Sequence, residues 1–113
     1  MTGRPDGKAR RVKKSEEILA VFKDRLGCTV VLERERWEHV CKRHRQLDGY
    51  EIAVMTAIEN ADKTKMGNTP NSRVIYAEGI GPARWLAVVV EYDGLNGRVV
   101  TAYPFSKEPR TDA

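Results

Sequence analysis

Cysteine is scarce in this chain. Only Cys28 and Cys41 occur, thirteen positions apart among 113 residues. With no CxxC pair, neither a thiolate zinc site nor a redox motif is indicated, and both residues read as buried free thiols of a reducing compartment. Histidine is equally sparse, at His39 and His44. They are five apart, about 140° around a helix, with no HExxH spacing and no third acidic or thiol ligand nearby, so no metal and no cofactor is expected. Long apolar runs are missing too. Stretches such as Leu86 to Val90 fall far short of the roughly 20 residues that cross a bilayer, and the basic N-terminus lacks the apolar segment of a secretory signal. The expectation is therefore a cytoplasmic protein with no membrane partner. There is no internal repeat and no low-complexity tract.

Charge is plentiful but unevenly placed. The net charge is +4, yet residues 1–14 hold six Lys or Arg against Asp6, which leaves 14 basic and 15 acidic side chains in residues 15–113. The body is close to neutral, and the first fourteen residues read as a disordered basic arm able to touch phosphates without sequence preference, or simply to solubilise. Residues 109–113 read as a flexible tail. One domain over residues 15–108 is long enough for a single hydrophobic core.

Ser15 with Glu16 and Glu17 suggests a capped helix carrying an apolar stripe of Ile18, Leu19, Phe22 and Leu26 and ending at Gly27. Cys28 to Leu32 is a β-branched run that predicts a short strand, followed by a histidine-bearing helix from near Arg36 and a second helix in which Ile52, Met55, Ala57 and Ile58 recur. From Asp62 onward the period changes to two: a weak segment Lys63 to Met66, then strands over Ser72 to Glu78, Arg84 to Tyr92 and Arg98 to Phe105, with Asp93-Gly94 and Asn96-Gly97 marking a hairpin. The expected fold class is α+β, with N-terminal helices packed on one face of a C-terminal antiparallel β-meander of about four strands.

Two distant segments carry the candidate chemistry. Trp37-Glu38-His39-Val40-Cys41-Lys42-Arg43-His44 holds both histidines, the side chains whose ordinary proton affinity lies near neutrality. Trp37, Val40, Cys41 and His44 share a helix face, which turns His44 toward the core side. Arg43 and Arg45 supply guanidinium groups beside it for an anion, unless they form only a solvated basic face. On the last strand Thr101 and Tyr103 share a face with Val99 by simple alternation, and Arg73 shares one with Ile75 and Ala77. Trp37 and Trp85 read first as core or core-edge packing.

Taken together, the HxxxRH helix, the Arg73-Val74-Ile75-Tyr76 and Trp85 to Val90 strands, and the Thr101-Ala102-Tyr103 strand resemble phage-type members of the barnase, EndoU, colicin and RelE-like nuclease superfamily. The resemblance covers about residues 28–105. It implies helices on a four-stranded antiparallel sheet and a metal-independent endoribonuclease, often a toxin or phage-associated protein, with RNA as substrate and a cognate antitoxin or immunity protein as partner. It also implies His39, Arg43, His44, Arg73, Thr101 and Tyr103 as catalytic residues, with Tyr76 beside Arg73 on the first hairpin strand; Arg45, Tyr76 and Trp85 are expected to bind substrate. The chain departs from that pattern in having Arg45-Gln46 where a Pro-Glu pair often follows the helix. In such a mechanism the neighbouring 2′-hydroxyl attacks phosphorus, with His39 or His44 as acid-base group and Arg43 and Arg73 stabilising the phosphate. The other reading is a catalytically inert module of the same fold that binds nucleic acid or protein.

Overall fold

The structure, a computed structural model, describes residues 17–111. The expected basic arm over residues 1–14 lies outside them. Six strands form one sheet: β1 (Ile18–Lys23), β2 (Thr29–Glu33), β3 (Lys63–Met66), β4 (Ser72–Glu78), β5 (Trp85–Asp93) and β6 (Asn96–Phe105). Their order across the sheet is β1-β2-β6-β5-β4-β3. Every neighbouring pair is antiparallel except β2 with β6, which run parallel over Thr29–Val31 and Asn96–Arg98. Two helices, α1 (Arg34–Arg43) and α2 (Glu51–Glu59), are inserted between β2 and β3 with a 3-10 turn at Arg45–Leu47 between them. Neither is long and apolar enough to cross a membrane.

The molecule is α+β, but its architecture corrects the expectation of N-terminal helices on a four-stranded meander. The segment that suggested a first helix is strand β1. Its periodicity was ambiguous over six residues, and the turn that follows decides for the strand. Asp24 Oδ1 accepts the N–H groups of Leu26 and Cys28 at 2.9 Å, while Gly27 takes a positive φ of 88° that closes the hairpin onto β2. Gly27 thus ends a hairpin loop rather than a helix, and Leu26, expected on an apolar stripe, is 90 % exposed at the loop tip. The meander β3 to β6 is then widened to six strands when β2 docks beside β6.

Each helix buries a narrow stripe against the same sheet face. In α1 it is Trp37 and Val40, with Glu35 in the first turn and Lys42 and Arg43 in the last, which suits the helix dipole. In α2 it is Val54, Ala57 and Ile58. They meet Val30 and Leu32 from β2, Ile75 and Ala77 from β4, Leu86, Val88 and Val90 from β5, and Val99 and Ala102 from β6. The opposite face carries a second, smaller cluster: Val74, Tyr76, Trp85 and Ala87, with Val89, Tyr103 and Phe105 against it. Among the described residues no helix or strand lies over this second face.

Candidate functional site

The face of β6 that carries Thr101 and Tyr103 is set by a bulge. Val89 pairs with Thr101 and Val90 with Val99, so Val100 is an extra residue and the alternation changes phase there. Val99 and Ala102 point into the helix-side core, whereas Thr101 and Tyr103 lie on the open face. Simple alternation had grouped Thr101 and Tyr103 with Val99, and the bulge overturns that grouping.

On the open face the cross-strand register lines up Lys63, Tyr76, Ala87 and Tyr103 in one row from β3 to β6, and Lys65, Val74, Val89 and Thr101 in the next. Ala87 stands between the two tyrosines. A methyl group there leaves the two phenols as interacting neighbours across β5. Burial raises the proton affinity of both. The neighbouring Tyr76 phenol raises that of Tyr103 further, while Lys65 acts in the opposite direction, and the neighbouring Tyr103 hydroxyl partly lowers that of Tyr76. Both phenols therefore stay protonated at neutral pH and can donate. Thr101 and Tyr103 border a hollow of about 380 Å³, together with Lys65, Asn68, Thr69 and Ser72.

His44 reaches this face from the helix layer. β2 pairs with β6 only over Asn96–Arg98, and α1 packs against β6. His44 caps α1 with its N–H bonded to the Val40 carbonyl at 2.8 Å, but its φ of −133° and ψ of 80° take it out of the helix. Its ring is half-buried with its centroid 6.3 Å from that of Tyr103. The core-side orientation expected from helical spacing therefore holds for Trp37, Val40 and Cys41 and stops before His44. Tyr103 is the shared member of two groupings: the His44 ring lies on one side of it, and Lys65 and Thr101 border the same hollow as Tyr103 on the other.

Comparison with family models, curated proteins and solved structures found no match for this chain. Among the described residues no three His, Cys, Asp or Glu side chains are grouped to hold a metal ion.

The remaining candidate residues are dispersed. His39 is exposed on α1, and Arg43 is exposed at its last residue. Arg45 lines a separate hollow with Glu38, Cys41, Lys42 and Asp48 at that helix end. Arg73 lies on the helix side of β4, where its guanidinium donates to Thr64 Oγ1 at 2.9 Å and lines a hollow with Ile58, Ala61 and Tyr92. The sheet separates it from Thr101 and Tyr103. Trp85 is on the open face but 2 % exposed. Lys65, which electrostatically faces Tyr103, was missed from the sequence. Its only signal was the weak period-two pattern of Lys63 to Met66, and register rather than composition brings it to the site.

Proposed function

We propose that the chain is a metal-independent endoribonuclease of the cytoplasm that cleaves RNA by attack of the 2′-hydroxyl on the adjacent phosphorus. The observation that carries this reading is the His44 ring set against Tyr103 beside Lys65, on an open and partly aromatic sheet face. The O2′–P bond forms as the P–O5′ bond breaks. His44 takes the proton from the 2′-hydroxyl, and the 5′-oxygen leaves with a proton taken from water, whose hydroxide is neutralised by the proton His44 then releases, leaving a 2′,3′-cyclic phosphate and a 5′-hydroxyl. Tyr103 and Thr101 donate hydrogen bonds to the phosphate oxygens, and Lys65 offsets the charge that builds on them. Arg73, on the other side of the sheet, and His39, exposed on α1, take no part.

The purified protein incubated with RNA in EDTA tests the reading, alongside the same RNA carrying a single 2′-deoxy at the cut site. Cleavage of the ribose substrate only, with cyclic phosphate ends, is expected. His44→Ala is expected to slow cleavage by about 10²- to 10⁴-fold, Tyr103→Phe to slow it less, and His39→Ala to leave it unchanged. Cleavage of the deoxy substrate, an absolute need for added divalent metal, or full activity of His44→Ala would each refute the mechanism.

A further inference from the structure

Trp85 is only 2 % exposed on a sheet face that no helix or strand among the described residues covers. Two cationic side chains lie over its ring. Lys63 Nζ stands 5.5 Å and the Arg84 guanidinium carbon 5.6 Å from the indole centroid. One carboxylate ties both cations: Glu108 Oε2 accepts from Lys63 Nζ, and Oε1 accepts from Arg84 Nη2 at 3.1 Å. Arg84 Nε also donates to Glu78 at 2.7 Å. Pro109, next in the chain, is buried. Beneath this arrangement Trp85 Nε1 is buried and finds no acceptor among the described residues, so the closed state leaves a polar group unsatisfied.

The corner adjoins the site already described. Trp85 is the register partner of Phe105, whose ring lies 5.9 Å from that of Tyr76 and 6.3 Å from that of Tyr103. Aromatic side chains therefore lead from Trp85 to His44. A lone anion needs only cations. Cations at the end of a row of rings suit a chain that alternates phosphates with stackable bases.

We propose that Lys63, Arg84 and Trp85 form a second binding site, for a phosphate and adjoining base of single-stranded RNA, and that Glu108 occupies it as a phosphate mimic until RNA displaces residues 106–111. The inference rests on reading the open face as an RNA surface, but not on cleavage. Each side chain has a distinct part. The cations pair with a phosphate instead of a carboxylate, and the indole becomes a stacking platform when the segment lifts.

The test is binding of a fluorescently labelled 2′-O-methyl RNA oligonucleotide, which lacks the attacking hydroxyl, measured by anisotropy in EDTA. Glu108→Gln keeps the shape of an exposed side chain and is expected to tighten binding about three- to tenfold, as is deletion of residues 107–113. Adding Lys63→Ala to Glu108→Gln is expected to abolish the gain. Glu17→Gln removes an equal charge from the Arg34 pair elsewhere on the surface and is expected to change affinity less than twofold. No tightening by Glu108→Gln, an equal gain from Glu17→Gln, or no binding of the oligonucleotide by any variant would overturn the proposal. Because the probe cannot be cut, a protein that fails to cleave RNA but shows the Glu108 effect refutes the reaction and leaves this site standing. Cleavage without the Glu108 effect does the reverse.

Discussion

Asp24 holds three donors at once: Oδ1 takes the N–H groups of Leu26 and Cys28, and Oδ2 takes the Tyr92 hydroxyl at 2.8 Å. One side chain thus shapes the β1–β2 turn and fastens it to β5. Burial first, and then the Asp24 carboxylate, push the Tyr92 phenol well above its usual value near 10. A proton held more tightly in the folded state stabilises it fully below the ordinary tyrosine range, and that contribution is lost as pH rises through the folded value. Urea denaturation at rising pH above about 10 is therefore expected to show falling stability, with a shallower fall in Tyr92→Phe. At neutral pH the same variant is expected to lose about 1–2 kcal/mol, because the hydroxyl bond to a carboxylate is gone. An unchanged alkaline profile in Tyr92→Phe would remove Tyr92 as its cause. His44 shows the same dependence on surroundings: its identity was legible as chemistry, but the ring it meets was not.

At the scale of elements, α1, α2 and strands β4 to β6 were readable because each carries a pattern longer than its ambiguity. Trp37 and Val40 recur at helical spacing, as do Val54, Ala57 and Ile58, and β5 is nearly continuous in apolar residues. β1 was misread because its apolar residues fit both periods and Gly27 serves a hairpin as well as a helix end. The bulge at Val100 left no signature in composition, yet it decides which face receives Thr101 and Tyr103. Gly97 is the tightest point of the pairing that admits β2. It faces Val30 on one side and Tyr92 on the other, and a Cβ there would stand 2.9 Å from the Tyr92 ring and 3.0 Å from Val90 Cγ1. Gly97→Ala is expected to destabilise the protein by about 1–3 kcal/mol in urea denaturation, since neighbouring strands must shift to admit the methyl. A loss below about 0.5 kcal/mol would show that the ring moves aside freely.

Across the whole molecule the two sheet faces have different fates. Helices cover one, while side chains and the segment after β6 dress the other, and the candidate chemistry sits where α1 meets the β6 edge. Under the proposed function, the near-neutral body and the basic residues 1–14 would divide the labour, with non-specific affinity from the first fourteen residues and chemistry from the open face. Deleting residues 1–14 is expected to weaken RNA binding at low salt and flatten its salt dependence, while cleavage at saturating RNA is unchanged. A loss of that saturating rate would place part of the reaction in the deleted residues. By itself the sequence determined which residues can exchange protons or bear charge, and where the long periodic elements run, because those properties reside in side chains and local spacing. Only the tertiary structure decided that β2 lies parallel to β6, that a bulge turns Thr101 and Tyr103 to the open face with Lys65, that His44 joins them, and that Arg73 does not. Those outcomes depend on register and on pairing between residues distant in the chain, which no local pattern encodes.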